Sequence, residues 1–106
     1  MIGYKLLYLR VRSAIATILM LHSPEDYRYL ELHPEEQEEF DKQVTILAQT
    51  YLNNYLNECA DKGIPPDNIT AIEVLAKRLT DGAIDEETAY MKLMELVAGN
   101  EPTTQD

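Results

Sequence analysis

The chain has 106 residues, with nineteen acidic side chains against nine basic ones and a formal charge of −10. That length supports one hydrophobic core and little more. The charge argues against direct binding to nucleic-acid backbones, whose phosphates need Lys and Arg, and directs attention to partners with a basic surface.

The first segment, Ile2 to His22, predicts a helix. Tyr4, Leu7, Val11, Ala14, Ile15, Ile18 and Leu21 gather on one side at 100° per residue. The other side is also apolar, with Ile2, Leu6, Leu9, Ala16 and Met20 between Lys5, Arg12 and Ser13. Helices apolar nearly all round are buried on two sides. With few helices available to surround it, the second face is expected to meet another chain, making Ile2, Leu6, Leu9 and Met20 a candidate oligomer interface. Its longest uncharged run, Ser13 to Ser23, is eleven residues, well short of the ~20 that span a bilayer, so no membrane association is expected.

Ser23-Pro24-Glu25-Asp26 predicts a helix start: a serine cap, proline in the first position and acids in the first turn. The piece that follows, Tyr27 to Leu32, ends at His33-Pro34 and is a short connector. Tyr27, Arg28, Tyr29 and His33 are candidate partner- or ligand-binding residues, because such side chains give rigid area and directional hydrogen bonds. The competing expectation is that Tyr27, Leu30 and Leu32 fold back to plug the end of a bundle.

From Pro34 to Lys62 the chain predicts a helix of about seven turns. Its apolar stripe is Phe40, Val44, Leu47, Ala48, Tyr51, Leu52, Tyr55, Leu56 and Cys59. Glu35, Glu36, Glu38, Glu39 and Asp41 open it. Acids suit the positive end of a helix dipole, but this run exceeds that need and Glu35 repels Glu39 at i,i+4. An antiparallel pairing with the first helix is expected to set Lys5 near Glu58 and Asp61, which leaves the acidic run few cations and makes it a second candidate partner-binding site.

Gly63 and Pro65-Pro66 end the long helix. Thr70 and Glu73 then form a capping box, with Ile69 and Val74 as its hydrophobic staple. The next helix buries Ile72, Leu75, Ala76 and Leu79 and turns at Asp81-Gly82. Asp85 caps a last helix with Tyr90, Leu93, Met94 and Val97 inward and Gly99 as its stop. The expected architecture is all-α: a small four-helix bundle with a short connector helix between the first two long helices. Residues 1–99 form the single domain and 100–106, without an apolar side chain, a disordered tail.

Catalytic and metal chemistry finds no pattern. Aligned on Gly82, an EF-hand loop would need oxygens where Lys77 and Leu79 stand, and a glutamate where Thr88 stands. His22 and His33 lie too far apart for a short ligand pair. Cys59 falls on the apolar stripe beside Glu58, the wrong sign to activate a thiol. As the single cysteine it excludes an intramolecular disulfide and suits a reducing, cytoplasmic setting. Neither catalytic residues nor a cofactor nor a metal is expected. The phrase LTDGAIDEETAYMKLMEL is similar, through Gly82, Ile84 and Glu87, to the short C-terminal helical hairpins of the SHOCT type. The resemblance implies oligomerisation and covers under a fifth of the chain.

The leading expectation is a non-enzymatic acidic helical protein that blocks or regulates a protein partner with a basic surface, with nucleic-acid charge mimicry as its mode. A self-assembling scaffold subunit and an oligomeric binder of a small anionic metabolite are the alternatives.

Overall fold

Proline and glycine set the breaks in the chain. Pro24 and Pro34 occupy first helical positions, while Gly63 and Gly99 stand just past a last turn with φ of 68° and 82°. That left-handed conformation is one glycine adopts without steric cost. The computed structural model describes residues 3–99; Ile2 and the 100–106 segment lie outside them. The breaks separate α1 (Tyr4–His22), α2 (Pro24–Leu32), α3 (Gln37–Lys62), α4 (Ala71–Thr80) and α5 (Glu86–Ala98), and a 3₁₀ turn at Pro34–Glu36 leads into α3. The fold is all-α, with α1, α3, α4 and α5 around one core and α2 as the connector.

Helix α1 is central, packing against α3, α4 and α5. Val11, Ile15 and Ile18 are shielded completely, each removing roughly 1.5–3 kcal/mol worth of apolar surface from water. The premise that too few helices were available to surround α1 is therefore corrected. Short connections let three helices close around it, and Ala16 and Leu19 pack against the core as well. Leu6 and Leu9 stay exposed, at 53% and 51%.

Along α3 the stripe falls as its spacing requires. Val44, Ala48, Tyr51, Leu52 and Cys59 are buried, whereas Phe40, Leu47, Tyr55 and Leu56 are half-buried flanks. Tyr8 Oη donates to Thr45 Oγ1 at 3.4 Å and Arg12 Nη2 to Asp41 Oδ1 at 3.3 Å, so α1 and α3 run antiparallel. This register sets Lys5 level with Ala48 rather than with Glu58 and Asp61, since α3 is 26 residues long against 19 in α1 and overhangs it. One member of the acidic run, Asp41, is thereby paired with Arg12.

The capping box at the start of α4 is complete. Thr70 Oγ1 accepts from the Glu73 N–H, and the Glu73 carboxylate accepts from the Thr70 N–H at 2.9 Å. Arg10 of α1 joins it: its Nε and Nη2 donate to the two oxygens of Glu73 at 2.8 and 2.9 Å, and Nη2 also donates to the Asn68 carbonyl. Ile72, Leu75, Ala76 and Leu79 are then buried together. Ile69 and Val74, expected as a staple, are exposed at 59% and 46%. In α5, Asp85 caps through the Thr88 N–H at 2.7 Å; Leu93 and Val97 are buried, joined by Ala89, too small to stand out in the pattern.

The cap expected at Ser23 does not form. Ser23 closes α1, its N–H on the Leu19 carbonyl, and opens α2 in the same residue, where the two helices meet at 105°. Its φ, ψ of −135°, 68° is not the extended backbone of a capping serine, and the hydroxyl turns to the His22 ring at 3.4 Å.

Two stability predictions follow from this packing. Leu52→Ala should cost about 2–5 kcal/mol in urea unfolding, whereas Leu32→Ala, at a side chain 73% exposed, should stay within about 0.5 kcal/mol of the parent. The second concerns acid. Burial alone would raise the Glu73 carboxyl; the hydrogen bonds from Arg10 and Thr70 outweigh it and hold the group below its ordinary 4.5. A carboxylate held low stabilises the fold fully above its unfolded value, and that contribution is lost as pH falls through the folded one. Glu73→Gln should therefore lower stability at neutral pH and flatten its decline below 4.5, measured as the urea midpoint against pH.

Candidate functional site

The corner made by the end of α1, by α2 and by the start of α3 carries the site. None of the residues of α2 is buried, so packing does not explain its composition. The corner is braced instead by polar contacts. The Gln37 side-chain amide donates to the Leu30 carbonyl at 3.0 Å, and His33 Nδ1 lies 2.9 Å from the Tyr29 carbonyl. A carbonyl only accepts, so Nδ1 carries the proton there. The His33 ring stacks on Tyr29 at 3.9 Å between centroids.

Between these elements and α5 opens a cleft of about 430 Å³. Leu19, Leu30 and Phe40 give it apolar lining. Tyr27, Tyr29 and Tyr90 supply rings, and Asp26, Glu36 and Glu39 supply carboxylates. Tyr90 is held by His22, which stacks on it at 4.2 Å and places Nε2 3.0 Å from Glu87. In this way α5 is tied to the corner by a side chain from the last turn of α1.

The structure brings together part of each sequence-predicted site. Tyr27 and Tyr29 of the connector meet Glu36 and Glu39 of the acidic run, and Met20, expected on the oligomer face, lines the same cleft. Arg28, Glu35, Glu38 and Asp41 do not line it, although all four are exposed. His33 acts from behind, through Tyr29. Leu9 lies elsewhere, over a shallow hollow shared with Arg10, Ser13 and Glu73. His22, Phe40, Gln43 and Tyr90 were not singled out by sequence reasoning. A signal for two of them existed: Glu36, Glu39, Phe40 and Gln43 follow i, i+3, i+4, i+7, one face of a helix.

Charge gathers around this cleft. Residues 23–41 hold eight acids, all exposed, against the single base Arg28. Among the described residues, Asp41 is the one of the eight in an ion pair.

A second cleft, of about 270 Å³, lies at the far end of α3 around Tyr51, Tyr55, Cys59 and Asp67. The two tyrosine rings stack at 5.7 Å, and Tyr55 Oη accepts from the Asp67 N–H at 2.6 Å. Burial first, then the neighbouring Tyr55, pushes the Tyr51 phenol up to about 12. Burial, followed by the Asp67 charge, pushes Tyr55 up to about 12 as well, against the Asp67 N–H. Phenols held neutral so far above physiological pH act as hydrogen-bonding struts rather than proton-transfer groups.

Among the described residues, no three His, Cys, Asp or Glu side chains converge as metal ligands. No single described helix is long and apolar enough to cross a membrane; α1 and α2 reach that composition only as a pair bent by 105°. Comparison with family models, with curated proteins and with solved structures yields no match.

Proposed function

We propose that the chain is a non-enzymatic, cytoplasmic binding protein that covers the basic surface of a protein partner, its acid-rich corner standing in for nucleic-acid phosphates. The observation that supports this reading is the exposure of all eight carboxylates of residues 23–41 beside one arginine. Acids in the first turn stabilise a helix by ~0.3–1 kcal/mol each, yet Glu39 lies past that turn and repels Glu35. Such a field speeds encounter with a basic surface and opposes an anion. The carboxylates in the cleft accordingly give the anionic-metabolite reading no support.

A second reading, self-association, draws on Leu6 and Leu9, both more than half exposed on α1. It is compatible with the first, since these side chains lie away from the cleft.

Both readings have direct tests. Glu38→Gln combined with Glu39→Gln should weaken the complex with the partner isolated from the source cell by about 2–10-fold and flatten its salt dependence, leaving the melting temperature unchanged. Wild-type affinity and salt slope in that double variant would remove charge mimicry. For self-association, light scattering at tens of micromolar, roughly the range of modest affinities, should show an oligomer that Leu9→Glu disperses without loss of helical circular dichroism. A monomeric parent sinks the idea.

A further inference from the structure

Helix phase divides the acidic run into two sets. Glu36 and Glu39 face the cleft together with Phe40 and Gln43, whereas Glu35 and Glu38 do not line it. Asp26 contributes a third carboxylate from α2. The cleft therefore receives acids from two separate elements, while Tyr27, Tyr29 and Tyr90 add rings and Leu19, Leu30 and Phe40 add apolar surface. Among the described residues no Lys or Arg lines it, and His22 is engaged by Glu87 and Tyr90.

We propose that this cleft is the anchor pocket for an arginine side chain of the partner protein. The assignment rests on the charge-docking reading above and narrows it from a field to a site. Three properties select the occupant. The carboxylates require a cation, yet they do not converge closely enough to hold a metal ion. A guanidinium, with five N–H donors spread over a plane, can reach acids on separate helices where a point charge cannot. Its planar, weakly hydrated face also packs on tyrosine rings, and its methylene stem suits apolar lining. The volume, about 430 Å³, lies within the rough 300–1,000 Å³ of pockets that enclose a small ligand. An arginine anchored in a pocket amid exposed acids has the form of an interface hot spot with a polar rim.

The full chain can be titrated with Nα-acetyl-argininamide, following the ring resonances of Tyr27, Tyr90 and His22 by NMR. Its neutral counterpart Nα-acetyl-norleucinamide serves as the control, and an octalysine peptide reports the surface field alone. Saturable shifts of those rings are expected with the arginine compound at roughly millimolar concentrations and not with the norleucine one. Glu36→Gln with Glu39→Gln should weaken that binding about tenfold, and Glu35→Gln with Glu38→Gln by less than about twofold. Helical circular dichroism confirms that each double variant is folded. Octalysine binding without any arginine-dependent ring shifts would overturn the pocket and leave charge docking standing. Equal losses in the two double variants would do the same, since a diffuse field does not distinguish faces. If neither probe binds, both readings fall.

Discussion

Arg10 engages both oxygens of Glu73, and the same carboxylate receives the N–H and hydroxyl of Thr70, a residue with no exposed surface. This arrangement does more than pair two charges. It fixes where α4 begins, because the box defines its first turn, and it fixes how α4 is rotated, because Glu73 must face α1. Ile72, Leu75 and Leu79 are then delivered to the core, where α1 and α5 meet α4. With both partners only partly exposed, the pair resists screening better than a surface bridge, and its bidentate geometry adds direction. Once α4 is locked on one side of α1, the remaining sides are left to α3 and α5, and the order of the bundle follows.

The same logic explains why the chain carries a functional corner at all. Helix α1 is spent on the core over most of its length, and its last turn supplies His22 as a strut to Tyr90 and Glu87. At Ser23 the chain leaves at 105°, so α2 is carried off the bundle and buries none of its residues. A helix that contributes nothing to the core yet is held by Gln37, His33 and Tyr29 is rigid without being structural in origin. Rigid, exposed segments of this kind are where binding surfaces are found.

Much of the fold was legible because periodicity reports burial directly. The gaps of three and four in α3 and α4 located Val44, Ala48, Leu52, Ile72 and Leu79 in the core, and Thr70-x-x-Glu73 located a helix start. Two features escaped for physical reasons. Register between helices depends on side-chain meshing across sequence-distant faces, so the pairing of Tyr8 with Thr45 and Arg12 with Asp41 had no local signature. The Ser23 cap failed because one residue had to serve two helices at a sharp corner, a tertiary demand that overrode local preference. At the site, the composition of the connector and of the acidic run was visible, but Tyr90 sits in α5 and read as core. Its approach to Tyr27 and Glu39 depends on how α5 packs, which no window of sequence contains.

The concentration of negative charge at the corner needs its own physical account, since like charges this close oppose folding. Two helix starts meet there. Glu25 and Asp26 occupy the first turn of α2, while Glu35 and Glu36, then Glu38 and Glu39, occupy the 3₁₀ turn and first turn of α3. Unpaired backbone N–H groups and the aligned peptide dipoles make both starts electropositive, which offsets part of the repulsion without placing a lysine or arginine in the cleft. A bundle that neutralised the same acids with side-chain cations would have been more conventional in its stability and would have had no field to offer. By using backbone dipoles instead, the chain keeps its carboxylates ionised, solvent-facing and uncompensated at the surface. That is the state in which they can attract a cation from outside.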